Sequence, residues 1–429
     1  MNRNQNNQRV PFFKKIWLLM LAFGPGIFCI GYTIGTGSVT SMAKAGSEYG
    51  MQLLWVLALS AFFAGIMMEA YGRYAVVTGE TAIHSIRKKI KFGKFLAIAV
   101  VIGVVVGQWN SLTGILGISA NAIYELIHLF FSNTSAENYW VVLGIAIFII
   151  VIFYGLLLKG NYSFFEKVLI IFVTLMGISF IISMFIVLPA PSEMVAGLKP
   201  TIPKVPGGKL MVAAFVGTTM AAPTFLVRPL LMKGKGWGKN NTREQTKDAV
   251  FSAGLMFVIS GAIMVTATGA LFHNGKTIEK VLDMVLTLEP LAGRFSVLIF
   301  VLGTLSAGLS SIFPILMVAP LLIADYRNGE LDTNSIQFKR LTAIAAIVGL
   351  IVPVLGANPI SSQIATQVAN VFVLPLVVGA IIYLVNNKKE MGEHKAGFFL
   401  NAGLVLALIF SCFIAYNGII SLFELFQSL

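Results

Sequence analysis

The chain has 429 residues, of which 57% are hydrophobic and only 11% are charged, and its mean hydropathy is +0.85. This composition excludes an ordinary soluble domain and indicates a protein that crosses the membrane many times. The formal net charge of +13 fits basic loops at one membrane face, so it gives no reason to expect a nucleic-acid partner.

Eleven apolar runs are each long enough to cross a bilayer, which takes about 20 residues. They lie at 16–44, 51–73, 95–126, 139–158, 163–189, 210–232, 248–272, 292–324, 341–356, 360–386 and 397–427. The segment 1–15 is a polar N-terminal tail, and no other segment is large or polar enough to form a separate soluble domain. We therefore predict an all-α integral membrane protein of one domain, 1–429, with eleven transmembrane helices.

Lysine and arginine are distributed unequally between the two sets of connecting segments. If the N-terminus is cytoplasmic, most of the 31 basic residues fall in cytoplasmic segments, as the positive-inside rule requires. We predict a multi-pass protein of the cell membrane with a cytoplasmic N-terminus and, because the span count is odd, an extracytoplasmic C-terminus. Its expected partners are the lipid bilayer and a small-molecule or ion substrate.

The first span contains a stretch that favours a break in the helix. In Gly35-Thr36-Gly37-Ser38, each glycine costs about 1 kcal/mol relative to alanine, and the hydroxyl side chains compete for backbone hydrogen bonds. A broken membrane helix is tolerated only where its freed N–H and C=O groups face protein or a watery cavity. We predict that Gly35, Thr36, Gly37 and Ser38 bind the substrate. Gly31 and Gly35 also form a Gly-xxx-Gly pair, so helix packing is the alternative.

The sixth span repeats this pattern in the stretch Gly217-Thr218-Thr219-Met220-Ala221-Ala222-Pro223. Proline removes a backbone hydrogen bond and clashes with the preceding turn, so we expect a break near Ala221. Thr218, Met220 and Ala221 are therefore further candidates for substrate binding. Broken spans five apart are typical of two inverted five-helix repeats with a midplane site. We place these repeats at 16–189 and 210–386, followed by an eleventh helix at 397–427.

Polar residues on other spans complete the candidate site. In span three, Asn110 and Thr113 lie on one helical face, available either to a polar solute or to a neighbouring helix. In span ten, Asn370 follows Gln367 by three residues and shares its face. Arg228, on the second half of span six, either reaches the cytoplasmic interface or lines the transport pathway and attracts an anionic solute.

Acidic and metal-binding side chains are scarce at membrane depth. Of 18 Asp and Glu residues, only Glu69 lies well inside a predicted span, and Arg73 four residues later offers it an ion pair. The four histidines lie near loops, and Cys29 and Cys412 are expected to be inert buried thiols. We find no nucleophile–base set and no cofactor motif, so we expect neither an enzyme nor a bound cofactor.

Several segments, in order along the chain, carry a family resemblance. They are Gly24-Pro25, Gly46, Gly50, Leu53-Leu54-Trp55, Val77-Thr78-Gly79, Gly217-Thr218-Thr219, Leu231, Ser306-Ala307-Gly308-Leu309-Ser310-Ser311, Thr366-Gln367-Val368 and Leu374-Pro375. Together these segments resemble the Nramp metal-ion transporters over roughly 20–385. The resemblance implies a LeuT-type fold and secondary active transport by alternating access. We expect a monomer to be functional.

The chain departs from that family at the positions that hold the metal. The family's first break reads Asp-Pro-Gly-Asn and its sixth span Met-Pro-His. This chain has Gly35, Thr36, Gly37 and Ser38 at the first motif and Ala221, Ala222 and Pro223 at the second, with the third-span carboxylates aligning near Ser111 and Gly114. Gln367 is the metal-coordinating position that remains, so it is the candidate ligand if a metal is carried.

The coupling ion is expected to be Na⁺ or H⁺. LeuT-type transporters place a sodium site between spans one and eight, and here Ser310, Ser311 and Ala307 of span eight would face carbonyl oxygens of span one. Serine hydroxyls in membrane helices also bond back to their own backbone, which is the alternative.

Two substrate classes fit these observations. Uncovered N–H groups at the start of the second half-helix suit a carboxylate, so the leading hypothesis is ion-coupled transport of a small polar or carboxylate-bearing organic solute. The alternative is a divalent metal ion of the Mg²⁺, Mn²⁺ or Fe²⁺ type in an oxygen-lined site. A sensor or channel that has kept the fold without transport is a third hypothesis.

Overall fold

A computed structural model describes residues 24–131, 138–159, 162–203, 207–281, 283, 289–327 and 332–427. The predicted N-terminal tail at 1–15 and the beginning of the first predicted span lie outside these residues. The regular elements among the described residues are helices, so the all-α prediction is confirmed.

The α-helices are numbered here in chain order. They are α1 Gly24–Thr33, α2 Thr36–Tyr49, α3 Leu54–Thr78, α4 Ala82–Lys89, α5 Gly93–Phe131, α6 Tyr139–Lys159, α7 Tyr162–Ile186, α8 Pro191–Ala196, α9 Gly208–Thr219, α10 Ala222–Gly234, α11 Thr242–Ala270, α12 Glu289–Arg327, α13 Ile336–Gly349, α14 Ile351–Leu355, α15 Pro359–Asn370, α16 Leu374–Asn386, α17 Lys388–Met391 and α18 Phe398–Gln427. Ten helical segments of the described chain are long and apolar enough to cross a membrane. Together with the α1–α2 pair they follow the eleven predicted spans in order.

Both predicted helix breaks are present. α1 ends at Thr33 and α2 begins at Thr36, and Gly35 between them is extended, with φ −98° and ψ −166°. α9 ends at Thr219 and α10 begins at Ala222, with Pro223 in its first turn, where a missing N–H costs nothing. The residues that weaken the helices therefore leave two pairs of helix ends in the buried interior.

The tenth span, predicted at 360–386, also contains a break, which was not predicted. α15 ends at Asn370 and α16 begins at Leu374, with Pro375 in its first turn. The proline ring has no N–H for the carbonyl of Val371 and clashes with it, which favours a break at this point. Gln367 and Asn370 consequently lie in the last turn of α15 rather than in the middle of a long helix.

Two buried carboxylates were missed in the sequence. Asp248 of α11 and Asp325 of α12 are 0% and 1% exposed, although Asp248 stands at the start of its predicted span and Asp325 just past the end of its own. Both helices extend past the apolar runs because each charge has partners: Arg228 for Asp248, and backbone N–H groups at the start of α4 for Asp325. The predicted pair of Glu69 and Arg73 is confirmed, with 2.6 Å between the charged atoms.

Both cysteines are free thiols. Cys29 is buried and Cys412 is exposed, so the prediction of two buried thiols is wrong for Cys412. An apolar run alone cannot distinguish a position that faces other helices from one on the outer surface of the bundle, and α18 has both kinds.

Lys89, at the end of α4, joins two acidic side chains from distant parts of the chain. Its Nζ lies 2.5 Å from Glu80 and 2.6 Å from Glu390 of α17. Burial alone would raise the pKa of the Glu80 carboxyl. The hydrogen bond from Lys89 has the opposite effect, and the pKa of Glu80 is lowered overall. A lowered folded-state pKa contributes stability above the unfolded pKa, and that contribution is lost as the pH falls through the folded pKa.

We therefore expect Lys89→Met to lower the thermal unfolding temperature in detergent at pH 7, and the deficit to shrink as the pH falls below about 4. Lys88→Met on the same helix is the matched control, because Lys88 is exposed. An equal deficit in both variants, or one that is constant with pH, would contradict this assignment.

Candidate functional site

A small cavity of about 20 Å³ lies where the broken helices meet. It is lined by Tyr32, Thr33, Gly35, Gly37, Gln108, Ser111, Ile115, Thr218, Ala221, Ser311, Ile315, Gln367 and Asn370. This volume accommodates one occupant about the size of a water molecule. In the part of the chain that the structure describes, no three Asp, Glu, His or Cys side chains come close enough together to hold a metal ion.

Ser38 and Thr218 connect the two breaks beside this cavity. Their hydroxyl oxygens are 2.7 Å apart, and Ser38 Oγ donates to the carbonyl oxygen of Thr33 at 2.8 Å. Thr33 and Thr219 end α1 and α9, so the partly negative C-termini of two helices come together here. Such helix ends stabilise a cation.

The partly positive end of a helix also reaches the cavity. α2 begins just after Gly35, no side chain caps this N-terminus, and Gly35 and Gly37 are both in the lining. Thr36 is not in the lining, because its hydroxyl accepts a hydrogen bond from Gln363 Nε2 at 3.0 Å. The first break therefore presents backbone rather than side chains to an occupant.

α15 contributes Gln367 and Asn370, whose side chains are linked by a hydrogen bond from Asn370 Nδ2 to Gln367 Oε1 at 3.2 Å. Two glycines allow α15 to come this close. A Cβ atom on Gly217 would overlap the carbonyl oxygen of Gln367, and one on Gly37 would overlap its side-chain amide. The glycines near the breaks therefore also serve close helix packing.

Span three faces the cavity, but with other polar residues than the predicted Asn110 and Thr113. Gln108, Ser111 and Ile115 line it, and their spacing places them on one side of α5. Asn110 is exposed and donates to Thr366 Oγ1 at 2.6 Å, and it is not among the residues that line the cavity. Because both sides of α5 carry polar residues, the sequence pattern could not show which side faces the cavity.

The second break contributes Thr218 and Ala221 to the lining, but not Met220, which is packed elsewhere in the core with 0% exposure. Arg228 is also outside the lining. It is 0% exposed, and its Nη1 lies 2.8 Å from Asp248 Oδ2 of α11. Arg228 therefore neither reaches an interface nor lines this cavity. The carboxylate of Asp248, which belongs to a different helix, holds it in the interior.

Ser311 connects α12 to α1. Its Oγ donates to the carbonyl oxygen of Gly31 at 2.8 Å and lies 3.1 Å from that of Ala307. Ser310 bonds only along its own helix among its described contacts, to Ala307 O at 2.9 Å. The oxygens of Gly31, Ala307 and Ser311 therefore lie together between the first and eighth spans.

Comparison with known proteins places the chain among membrane transporters. Residues 26–421 match the family model described as natural resistance-associated macrophage protein-like, or Nramp. The divalent metal cation transporter MntH of Verminephrobacter eiseniae is 22% identical over 418 residues, covering 94% of this chain and 90% of that protein. MntH of Klebsiella pneumoniae is 23% identical over 395 residues, covering 89% and 88%.

Solved structures share the fold. The manganese transporter of Eremococcus coleocola superposes with a TM-score of 0.71 at 16% identity, covering 96% of this chain and 88% of that one. MhsT in complex with L-phenylalanine superposes with a TM-score of 0.66 at 15% identity, covering 93% and 98%. The predicted LeuT-type fold is therefore confirmed.

Proposed function

The chain belongs to the Nramp family of secondary transporters, and we propose that its substrate is a hard divalent cation of the Mg²⁺ or Mn²⁺ type. The observation that carries this proposal is the oxygen-rich lining of the small cavity between the broken helices, which suits a cation. Relatives named as divalent metal cation transporters support the same class. This favours the alternative hypothesis from the sequence over the leading one.

The lining chemistry supports a hard cation over a soft one. The cavity offers hydroxyl, amide and carbonyl oxygens, including Thr33 O, Thr218 and Gln367, and its lining contains no sulfur or imidazole. Oxygen donors suit Mg²⁺ and Mn²⁺, whereas softer metals favour sulfur and nitrogen. The C-termini of α1 and α9 supply partial negative charge where this site has no carboxylate. Because no carboxylate lines the site, we expect weak binding.

For the coupling ion we propose Na⁺ between α1 and α12, with the oxygens of Gly31, Ala307 and Ser311 as its ligands. The support is their proximity in the structure, together with the oxygen chemistry that Na⁺ requires. Ser310 plays no part in this proposal because its hydroxyl bonds along its own helix. H⁺ is the alternative coupling ion, and dependence of uptake on the pH gradient alone would favour it.

The predicted setting of the transporter is also part of this proposal. The basic residues support a cell-membrane location with a cytoplasmic N-terminus and an extracytoplasmic C-terminus. Function as a monomer remains a prediction. The repeat boundaries at 16–189 and 210–386 remain predictions.

Uptake by the purified protein in proteoliposomes tests the substrate. We expect saturable uptake of Mn²⁺ or Mg²⁺, enhanced by an inward Na⁺ gradient, with Cd²⁺ a poorer substrate. Gln367→Ala removes a side-chain amide from the cavity and should lower uptake about tenfold at low cation concentration. Asn110→Ala removes a comparable amide that lies outside the cavity and should leave uptake within about twofold. Equal losses in the two variants would argue against the cavity as the binding site.

A carboxylate-bearing organic solute is the second candidate, and one observation favours it. The N-terminus of α2 lies beside the cavity with no side-chain cap, and N–H groups at such an end bind carboxylates. Uptake of amino acids or other small carboxylates, with no uptake of Mn²⁺ or Mg²⁺, would establish this candidate and overturn the cation proposal.

A further inference from the structure

Arg228 and Asp248 form an ion pair in which both side chains are 0% exposed. The pair joins four helices. Arg228 of α10 donates through Nε to Met68 O of α3 at 3.0 Å and through Nη2 to Gln245 O of α11 at 3.2 Å. Asp248 of α11 accepts from the backbone N–H of Gly26 in α1 at 3.1 Å.

We propose that Asp248 is a positioning residue for transport: its carboxylate, held by Arg228, fastens the first turn of α1 to α11 and keeps the cavity closed at that end. This inference rests on the proposed transport function, because a gate has a role only where a substrate passes. The Arg228–Asp248–Gly26 contact is called the α1 latch below.

Most of the described hydrogen bonds between α1 and other helices lie towards its cavity end. At the cavity end, Thr33 Oγ1 lies 3.0 Å from Thr224 Oγ1, and Tyr32 OH donates to Pro314 O at 3.0 Å. The latch holds the other end, seven residues before Thr33. Since the chain is non-helical at Gly35, release of the latch would let α1 tilt while the cavity end keeps its bonds.

The geometry of the pair suits a contact that must break. Arg228 Nη1 and Asp248 Oδ2 are 2.8 Å apart, and both side chains are 0% exposed. Burying two charges is costly, and an apolar pair of similar size would often stabilise the fold as well. A buried ion pair that holds the backbone of a half-helix therefore fits a switchable contact better than a purely structural one.

The chain provides its own reporter for the latch. Cys29 lies in α1, three residues after Gly26, and is buried against α10 with its Sγ 3.8 Å from Thr224 O. The only other cysteine of the chain is Cys412. In a Cys412→Ser background, the rate at which N-ethylmaleimide modifies Cys29 in proteoliposomes measures how often α1 leaves the bundle.

Two double variants without either charge separate the effect of the hydrogen-bond acceptor for the Gly26 N–H from the effect of the charges. Arg228→Met with Asp248→Leu removes both charges and the acceptor, and should raise the rate of Cys29 modification at least about tenfold. Arg228→Met with Asp248→Asn also removes both charges but retains an oxygen for the Gly26 N–H, and should stay within about threefold of the parent. Equal rates in the two double variants would overturn the proposal.

A third variant keeps both Arg228 and Asp248. A Cβ atom on Gly26 would overlap Ser252 Oγ and press on the Asp248 carboxylate, so Gly26→Ala should also expose Cys29 more often. This variant decides the question if the double variants do not fold, and an unchanged modification rate in it would count against the latch.

The modification is measured without substrate, so the two proposals can fail separately. A change in Cys29 exposure without cation uptake would refute the cation proposal and leave the latch standing. Uptake of Mn²⁺ or Mg²⁺ with Cys29 exposure insensitive to all three variants would refute the latch alone.

Discussion

Gly217→Ala should abolish measurable uptake of the transported cation. The added Cβ would overlap the carbonyl oxygen of Gln367, which is backbone and cannot rotate away, so α9 and α15 must separate. Overpacking of this kind costs about 1–3 kcal/mol of stability. The larger effect is on the site, since Thr218 and Gln367 line the cavity from these two helices. A displacement of about 1 Å in a functional site can cost about 100-fold in rate.

The measurement is initial uptake in proteoliposomes at equal amounts of folded protein, with thermal unfolding as the companion assay. Gly379→Ala on α16 is the matched control, because a Cβ atom there has no other atom within 4 Å. We expect the control to keep parental uptake. Parental uptake by Gly217→Ala would mean that α9 and α15 do not need this close contact for transport.

The helix breaks were predictable because their causes are local. Gly35 and Pro223 weaken a helix whatever surrounds them, and both breaks occur where the sequence places them. The third break also has a local cause, Pro375. A proline in the first turn of a helix is compatible with a helix that starts there, so Pro375 alone did not reveal that another helix ends just before it. An apolar run from 360 to 386 therefore looked continuous, although α15 ends at Asn370.

The helix breaks predicted where the site lies, but they did not predict which residues of the other helices line it. Gly35, Gly37, Thr218 and Ala221 line the cavity because a broken helix must turn its free backbone groups inward. Asn110 does not, since helical periodicity gives relative directions along α5 but no absolute orientation about its axis. Packing against neighbouring helices, chiefly α12 and α15, fixes that rotation.

Buried charge pairs were beyond the reach of the sequence pattern. Arg228 and Asp248 are on different helices, and nothing in the spacing of 20 residues between them signals a contact. Asp248 also lies at the very start of the seventh apolar run, where a carboxylate at the membrane surface is the ordinary expectation. The fold brings the two together at 2.8 Å, and so changes Arg228 from a residue of the predicted pathway into part of the interior.

Arg228→Met should destabilise the protein by about 3–5 kcal/mol, the range found when one partner of a buried ion pair is removed. The single variant leaves the Asp248 carboxylate at 0% exposure with the Gly26 N–H as its described hydrogen-bond donor. The carbonyl oxygens of Met68 and Gln245 also lose the donors that Arg228 supplies. The apparent free energy of unfolding, from thermal or denaturant melts in detergent, measures this loss.

Adding Asp248→Asn to Arg228→Met should restore most of that stability, because no uncompensated charge then remains in the interior. Arg73→Met is the matched control: Arg73 also pairs with a carboxylate, but its side chain is 26% exposed, so water can replace the lost partner and the cost should be at most about 1 kcal/mol. If the double variant were no more stable than Arg228→Met alone, the penalty would come from lost packing of the arginine side chain. A large gain in stability from Asp248→Asn would instead identify the unpaired Asp248 charge as the source of the penalty. That result is expected if Arg228 holds the Asp248 carboxylate in place for the Gly26 N–H.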